Sequence, residues 1–306
     1  MVITAAVFEN NFSYWVIIMD RCSSRFYLPR IESQGEEYKQ FQFGAGESHF
    51  KILAQTTRHV DIMFRYAGDQ SIIQLLLLND ALKRQGAELI DLYIPYFPGA
   101  RQDRVCNQGE ALSVKVYADL INQQNFNQVF IFDPHSDVTA AVLNKVHVVK
   151  NHQLIKQVIE EIAEEIVLIS PDAGSNKKIF ELSVQLGGLE VIRADKVRDV
   201  SNGKIIDTEV YCDDLGGKTC VIIDDICGGG RTFMELAKKL KAKNCGKIIL
   251  IVSHYEGVAN EADLRASGIA AIFTTNSLKD IPSSDFLTVK DIWSFMPFMS
   301  KQGDSK

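Results

Sequence analysis

The stretch TCVIIDDICGGGRTFMELAKKL (Thr219–Leu240) decides how this chain is read. An apolar run ends in two adjacent carboxylates, Asp224 and Asp225, and passes through Cys227, three glycines, Arg231 and Thr232 before a helical pattern begins. That order is a strand, a glycine-rich turn and a helix, the repeating piece of α/β folds.

The same rhythm runs outward in both directions. HVDIMFRY, DQSIIQLLLLNDALKRQG, AELIDLYIPYF, SVKVYADLINQQN and QVFIFD alternate strand-like and helix-length patterns in the first half. NHQLIKQVIEEIA, EIVLIS, KKIFELSVQLG, LEVIRA, TCVIID, TFMELAKKLKAKN and KIILIVS repeat the alternation in the second. Short β-rich runs separated by amphipathic helices predict βαβ units with parallel strands. We therefore expect an α/β fold of two similar domains, residues 1–150 and 151–306, each with a mainly parallel sheet flanked by helices. The tail after Lys301 is expected to fray.

Bulk properties fit this reading. The chain has 306 residues, 46% apolar and 24% charged, with a net charge of −6, so it lacks the basic excess of a general nucleic-acid binder. Its six cysteines contain no C-x-x-C pair, which suggests neither a zinc knuckle nor a disulfide framework. The N-terminus shows no export signal, and SYWVIIM and KIILIV are too short to span a bilayer. A cytoplasmic protein with no membrane partner is expected.

In open parallel sheets, ligands bind beyond the carboxyl ends of the strands. Four segments qualify: IPYFPGARQDR, FDPHSD, ISPDAGSNKK and IDDICGGGRT. In the last, Gly228, Gly229 and Gly230 let backbone N–H groups approach an oxyanion, and the helix start near Thr232 adds its positive end. Asp224 and Asp225 are placed to accept hydrogen bonds from vicinal sugar hydroxyls. A helix cap with a solvated acid would account for one Asp; the ordered combination specifies a phosphorylated ribose. Arg101, Gln102 and Arg104 supply forked and amide donors suited to phosphate and purine.

This loop resembles the PRPP loop of phosphoribosyltransferases and, more closely, that of ribose-phosphate pyrophosphokinases. Ile94–Arg104 resembles the latter family's ATP-binding IPYFxYARQDR, and FDPHSD stands where the family has its Asp-x-His metal and nucleotide site. SPDAGSNKK resembles SPDxGGxKR, and ADKVRD keeps the lysine and arginine spacing of the family's catalytic loop. The resemblance implies attack by a ribose C1 hydroxyl on the β-phosphorus of ATP, with Mg2+ as cofactor and AMP released. It implies ATP binding by Phe43, Glu47, Arg101, Gln102, Arg104 and His135, and a metal site at His135 and Asp172. Asp172, Asp224, Asp225, Gly228, Gly229, Gly230, Arg231 and Thr232 would hold the ribose phosphate. RADKVRDVSNGKI has no helical period and reads as a mobile, solvated loop; the resemblance makes its Lys196 and Arg198 catalytic. The implied partners are ATP, a ribose phosphate and further copies of the chain, as a homodimer or larger homo-oligomer.

The departures from the family are informative. The phosphate loop normally reads D-D-x-x-D-T-G-G-T; here Gly228 and Gly229 replace the third acid and first threonine, and Arg231 replaces the last glycine. Less bulk and an added cation suit an acceptor extended at the 5-position, such as ADP-ribose, alongside ribose 5-phosphate itself. The family's FSDGE, which reaches a neighbouring subunit's ATP site, is FGAGE here (Phe43–Glu47), with Ala45 in place of the acid. Ser175 replaces a loop glycine, and residues 1–40 match poorly. Two competing readings are a phosphoribosyltransferase, which leaves ARQDR without a role, and a non-catalytic relative of the synthetases.

Overall fold

The computed structural model describes residues 24–28, 37–198 and 205–297. In the first half, β1 (Ser24–Leu28) is followed by a hairpin of β2 (Tyr38–Gln42) and β3 (Ser48–Ile52). Then come β4 (His59–Phe64), α1 (Asp69–Arg84), β5 (Leu89–Ile94), α2 (Ser113–Asn122), β6 (Gln128–Phe132), α3 (Asp137–Val142) and β7 (Val146–Val149). β1, β4, β5, β6 and β7 form a parallel sheet in that order, while β2 and β3 pair only with each other.

The second half runs α4 (His152–Glu160), β8 (Ile166–Ser170), α5 (Asn176–Gln185), β9 (Val191–Arg198), β10 (Ile205–Val210) and β11 (Thr219–Cys227). It continues with α6 (Arg231–Ala242), β12 (Ile248–Tyr255), α7 (Glu261–Ala266), β13 (Ala271–Thr275) and β14 (Leu287–Lys290). Its sheet has the order β10-β9-β8-β11-β12-β13-β14, parallel except for β10 on β9.

Alternation along the strands sorts side chains between two cores. Val60, Ile62 and Phe64 of β4 join Ile72, Leu75, Leu78 and Leu82, the apolar stripe of α1, on one face of the first sheet. The intervening Met63 joins Tyr93, Phe130 and Phe132 on the other face. There they meet Leu154, Ile155 and Val158 of α4 together with Val221, Ile223, Ile249 and Ile251 of the second sheet. This shared apolar layer docks the two halves. Arg65 adds a two-pronged pair across the junction, 2.7 Å from each carboxylate oxygen of Asp280.

The docking brings the carboxyl ends of both sheets to one cleft. Among the described residues, no helix is long and apolar enough to cross a membrane.

One expectation is corrected. Lys196 and Arg198 lie on β9, paired in antiparallel register with Thr208 and Ile205 of β10, and not in an irregular loop. Charged residues masked a period-two pattern, in which Val191, Arg193, Asp195 and Val197 alternate with Ile192, Ala194, Lys196 and Arg198. The turn of this hairpin lies outside the described residues, as does most of the poorly matching segment 1–40. β7, β13 and β14 were also unexpected, being strands of only four or five residues whose polar positions interrupt the apolar pattern.

Candidate active site

Asp224 and Asp225 lie near the carboxyl end of β11, where Asp224 pairs with Val252 and Ile226 with His254 of β12. The Asp225 N–H donates to Asp224 Oδ1 at 2.9 Å, fixing how the two carboxylates splay. Gly228, Gly229 and Gly230 then lead into α6, whose first residue is the exposed Arg231; Thr232 is half-buried. Gly230 takes a φ of 75°, and a Cβ there would lie 2.9 Å from Leu264 Cδ2, so backbone and packing both require glycine. Cys227 is fully buried and its thiol is pushed up to about 12, chiefly by burial, which makes it an inert core residue.

Asp172 begins the loop between β8 and α5. Ser175 holds that loop: its hydroxyl donates to the Asp172 carbonyl at 2.8 Å, and its N–H donates to Asp172 Oδ1 at 3.2 Å. The Asp172 charge also acts on Asp224, placing the two acids on one side of the site.

The first half supplies the opposite wall. His135 follows the end of β6 and its Nδ1 lies 2.8 Å from Asp225 Oδ2, joining the end of one sheet to the end of the other. Tyr96, Phe97, Ala100 and Arg101, from the segment after β5, complete a cleft with His135, Asp225, Ile226 and His254. Arg101 Nη1 reaches Glu256 Oε1, in the turn after β12, at 3.2 Å.

Behind the cleft lies a buried polar lock. Asp133 is 2% exposed and adopts a φ of 45°. Its carboxylate accepts from Asn151 Nδ2 at 2.8 Å, from the Ser253 hydroxyl, and from the Lys178 ammonium of α5. The buried His254 bridges the same junction: its Nε2 lies 3.1 Å from the Phe132 carbonyl and its Nδ1 2.7 Å from Ser277 Oγ. Those partners assign a neutral ring protonated at Nε2.

The charges in the site are interdependent. The hydrogen bond to Asp225 raises the His135 imidazole above its ordinary value, against the opposing effect of burial. Burial drives Asp224 well upward, and the neighbouring Asp225 charge reinforces it. Burial would also raise Asp225, but hydrogen bonds from His135 and Asp224 hold it below the usual carboxylate range. Burial would lower Lys178, yet Asp133, Asp225 and Asp224 together raise it. The arrangement sets a carboxyl pushed upward at Asp224 beside one held low at Asp225, with Lys178 and His135 on two sides. Such a site accepts hydrogen bonds from sugar hydroxyls and holds a polyanion above them.

The other expected residues are spread more widely. Gln102 donates to the Arg104 carbonyl at 2.9 Å and so shapes its own loop, while the Arg104 side chain is largely exposed. Phe43 and Glu47 are exposed on the β2–β3 hairpin, where Phe43 packs on Phe41 and His49, and neither lines the cleft of its own chain. Sequence reasoning missed Tyr96, Asp133, Lys178, His254 and Glu256. The first three lie within the four strand-end segments, but nothing in those patterns said which side chain faces the junction. His59, Asp61 and Asp91 bring three ligand-type atoms within 4.8 Å of one another, but they start from the amino end of β4. There Arg25 pairs with Asp61 and Asn127 donates to Asp91, which reads as a buried charge network remote from the cleft.

Comparison with known proteins identifies the family. Residues 30–124 match the N-terminal domain of ribose phosphate pyrophosphokinase, and residues 144–269 match the phosphoribosyl transferase domain. The chain belongs to the ribose-phosphate pyrophosphokinase family. It is therefore a diphosphokinase-type transferase. The ribose-phosphate pyrophosphokinase of Sulfurisphaera tokodaii is 27% identical over 256 residues, 82% of this chain and 87% of the relative. That of Saccharolobus solfataricus is 23% identical over 252 residues, covering 81% and 86%, and that of Thermococcus kodakarensis 29% over 219, covering 70% and 75%. The crystal structure of phosphoribosylpyrophosphate synthetase from Mycobacterium smegmatis shares the fold, with a TM-score of 0.71 at 24% identity over 83% of this chain and 86% of that one.

Proposed function

We propose that this chain transfers the β,γ-diphosphoryl group of Mg–ATP to the C1 hydroxyl of a ribose 5-phosphate moiety. A bond forms between the hydroxyl oxygen and the β-phosphorus, and the hydroxyl proton is released to solvent. The bond from the β-phosphorus to the α,β-bridging oxygen breaks, and AMP leaves with that oxygen. The contact between His135 and Asp225, 2.8 Å across the two halves, carries this reading, because it sets a nucleotide-side group directly beside the ribose acids.

In this reading residues 1–150 contribute Arg101, Gln102, Arg104 and His135 to ATP, and residues 151–306 contribute the ribose-phosphate loop. Asp224 and Asp225 orient the sugar through its hydroxyls, and backbone N–H groups from Gly228 to Thr232 hold the phosphate at the start of α6. Lys196 and Arg198 stabilise the charge that develops on the transferring group. Phe43 and Glu47 serve the ATP site of a neighbouring copy, which requires a homo-oligomer.

The donor set suits a hard divalent cation: Asp172 and Asp224 offer oxygens on one side, and the Nδ1 contact of His135 leaves its Nε2 for a ligand. His135 and Asp172 would hold the Mg2+, which when bound neutralises charge on the diphosphoryl chain.

The family relatives' name favours ribose 5-phosphate as the acceptor. A second reading, an acceptor extended at the 5-position such as ADP-ribose, is favoured by the loop itself. A Cβ at Gly229 would meet nothing within 4 Å. Arg231 is exposed and pairs with no carboxylate among the described residues. Incubation with Mg–ATP and either acceptor, with AMP and product mass followed, tests both readings. No AMP with either acceptor overturns the function, and turnover of ribose 5-phosphate alone overturns the extended acceptor.

A further inference from the structure

Gly228 stands at the third acidic position of the loop signature, so the loop itself has lost a carboxylate. The space its side chain would fill is nevertheless occupied by one. A Cβ on Gly228 would lie 2.5 Å from Glu256 Oε2 and 3.7 Å from Arg101 Nη1. Glu256 comes from the turn after β12, and its N–H donates to the Cys227 carbonyl at 3.0 Å, so the backbone of this turn is tied to the loop it enters. Its carboxylate holds Arg101 at 3.2 Å. Arg101 in turn lines the cleft together with Tyr96, His135 and Asp225.

We propose that Glu256 is a positioning residue for the diphosphoryl transfer: it returns the carboxylate missing at Gly228 to the same place and aims the Arg101 guanidinium into the cleft. This rests on the function proposed above, in which Arg101 binds ATP. A guanidinium presents donors in a fixed fork, so anchoring one arm sets the direction of the rest. A Cβ at Gly228 would push the Glu256 carboxylate, the flexible end of its side chain, out of this place, so the glycine leaves room for the relocated acid. The pair is partly exposed, 55% at Arg101 and 30% at Glu256, so it adds little to stability and its effect falls on binding.

The test compares wild type, Glu256→Ala, Gly228→Asp and the double variant, with Glu256→Gln as a control that preserves volume. Mg–ATP affinity is read by calorimetry, the kcat and KM for ATP by AMP release, and folding by thermal midpoint. Glu256→Ala and Glu256→Gln should each weaken ATP affinity and raise its KM about tenfold, the scale of one charge-assisted hydrogen bond, with an unchanged midpoint. Gly228→Asp should be worse than either, because two carboxylates then compete for one space. The double variant, with its single acid returned to the loop, should recover to within about threefold of wild type, a rescue that simple loss of packing would not give. Wild-type affinity in Glu256→Gln, or a double variant no better than its worse parent, would overturn the proposal. If wild type binds ATP and the rescue pattern appears but no AMP is released, Glu256 keeps its role and the transfer reaction is what fails.

Discussion

Replacing Lys178 with methionine should separate the stability of the domain junction from the chemistry of the cleft. The side chain keeps its length, but the buried Asp133 carboxylate loses its cation and retains only Asn151 and Ser253 as donors. Removing one partner of a fully buried ion pair costs about 3–5 kcal/mol. Two donors remain here, and the Lys178 side chain is 35% exposed, so water screens its end of the pair. We therefore expect a loss of about 2 kcal/mol, which corresponds to a fall in melting temperature of about 4 °C for a chain of this size. Urea denaturation of wild type, Lys178→Met, Asp133→Asn and the double variant gives the coupling directly. The double variant should recover at least half of the single loss, since it leaves no buried charge uncompensated. A Lys178→Met protein within about 0.5 kcal/mol of wild type, the scatter of ordinary surface changes, would refute the assignment of this pair to the lock.

Three further outcomes are expected. Lys196→Ala should lower turnover by at least about a hundredfold while changing ATP affinity little, the mark of a contact made only in the transition state; an unchanged rate in the AMP assay would remove it from the mechanism. Arg231→Ala should raise the KM for ADP-ribose about tenfold more than that for ribose 5-phosphate, and equal losses on both would count against its role. Burial holds His254 below its ordinary value and so neutral when folded, whereas the unfolded chain takes up a proton near pH 6.5. Its contribution is intact above that pH and is lost as pH falls below it, by at most about 1.4 kcal/mol per unit, and urea titrations at pH 7.5 and 5.5 should show a flatter dependence for His254→Asn.

Most of the parallel architecture was legible because each buried strand is a compact apolar run bounded by turn residues, as in IVLIS of β8 and the apolar part of β11. β9 was not, because an edge hairpin carries charges on both faces and its pattern resembles a solvated loop. The loop acids Asp224 and Asp225 were legible because two consecutive carboxylates closing an apolar strand carry a desolvation cost that a ligand-binding site offsets. Glu256 was not, since its meaning depends on Gly228, 28 positions earlier, and on a strand register that puts the ends of β11 and β12 side by side. Asp133 and His135 illustrate the same limit from one tripeptide. Both read as parts of one polar strand end, yet one is buried against α5 and β12 while the other faces the ribose loop.

That divergence between neighbours ties docking to the proposed chemistry. Asp133 sits at a φ of 45°, a left-handed conformation that carries strain for any residue but glycine and persists only where its surroundings hold it. Its N–H donates to the Val149 carbonyl of the first half at 2.9 Å. The partners of its carboxylate, Asn151, Lys178 and Ser253, all belong to the second half, so docking completes the hold on the turn that presents His135 to Asp225. The shared apolar layer of Tyr93, Phe132, Leu154 and Ile223 is non-directional and would tolerate small slips between the sheets. The polar lock is directional and does not. Hydrophobic burial thus supplies the affinity of one half for the other, while the Asp133 lock supplies the register. A cleft built from two separate strand ends needs that register more than either half needs it to fold.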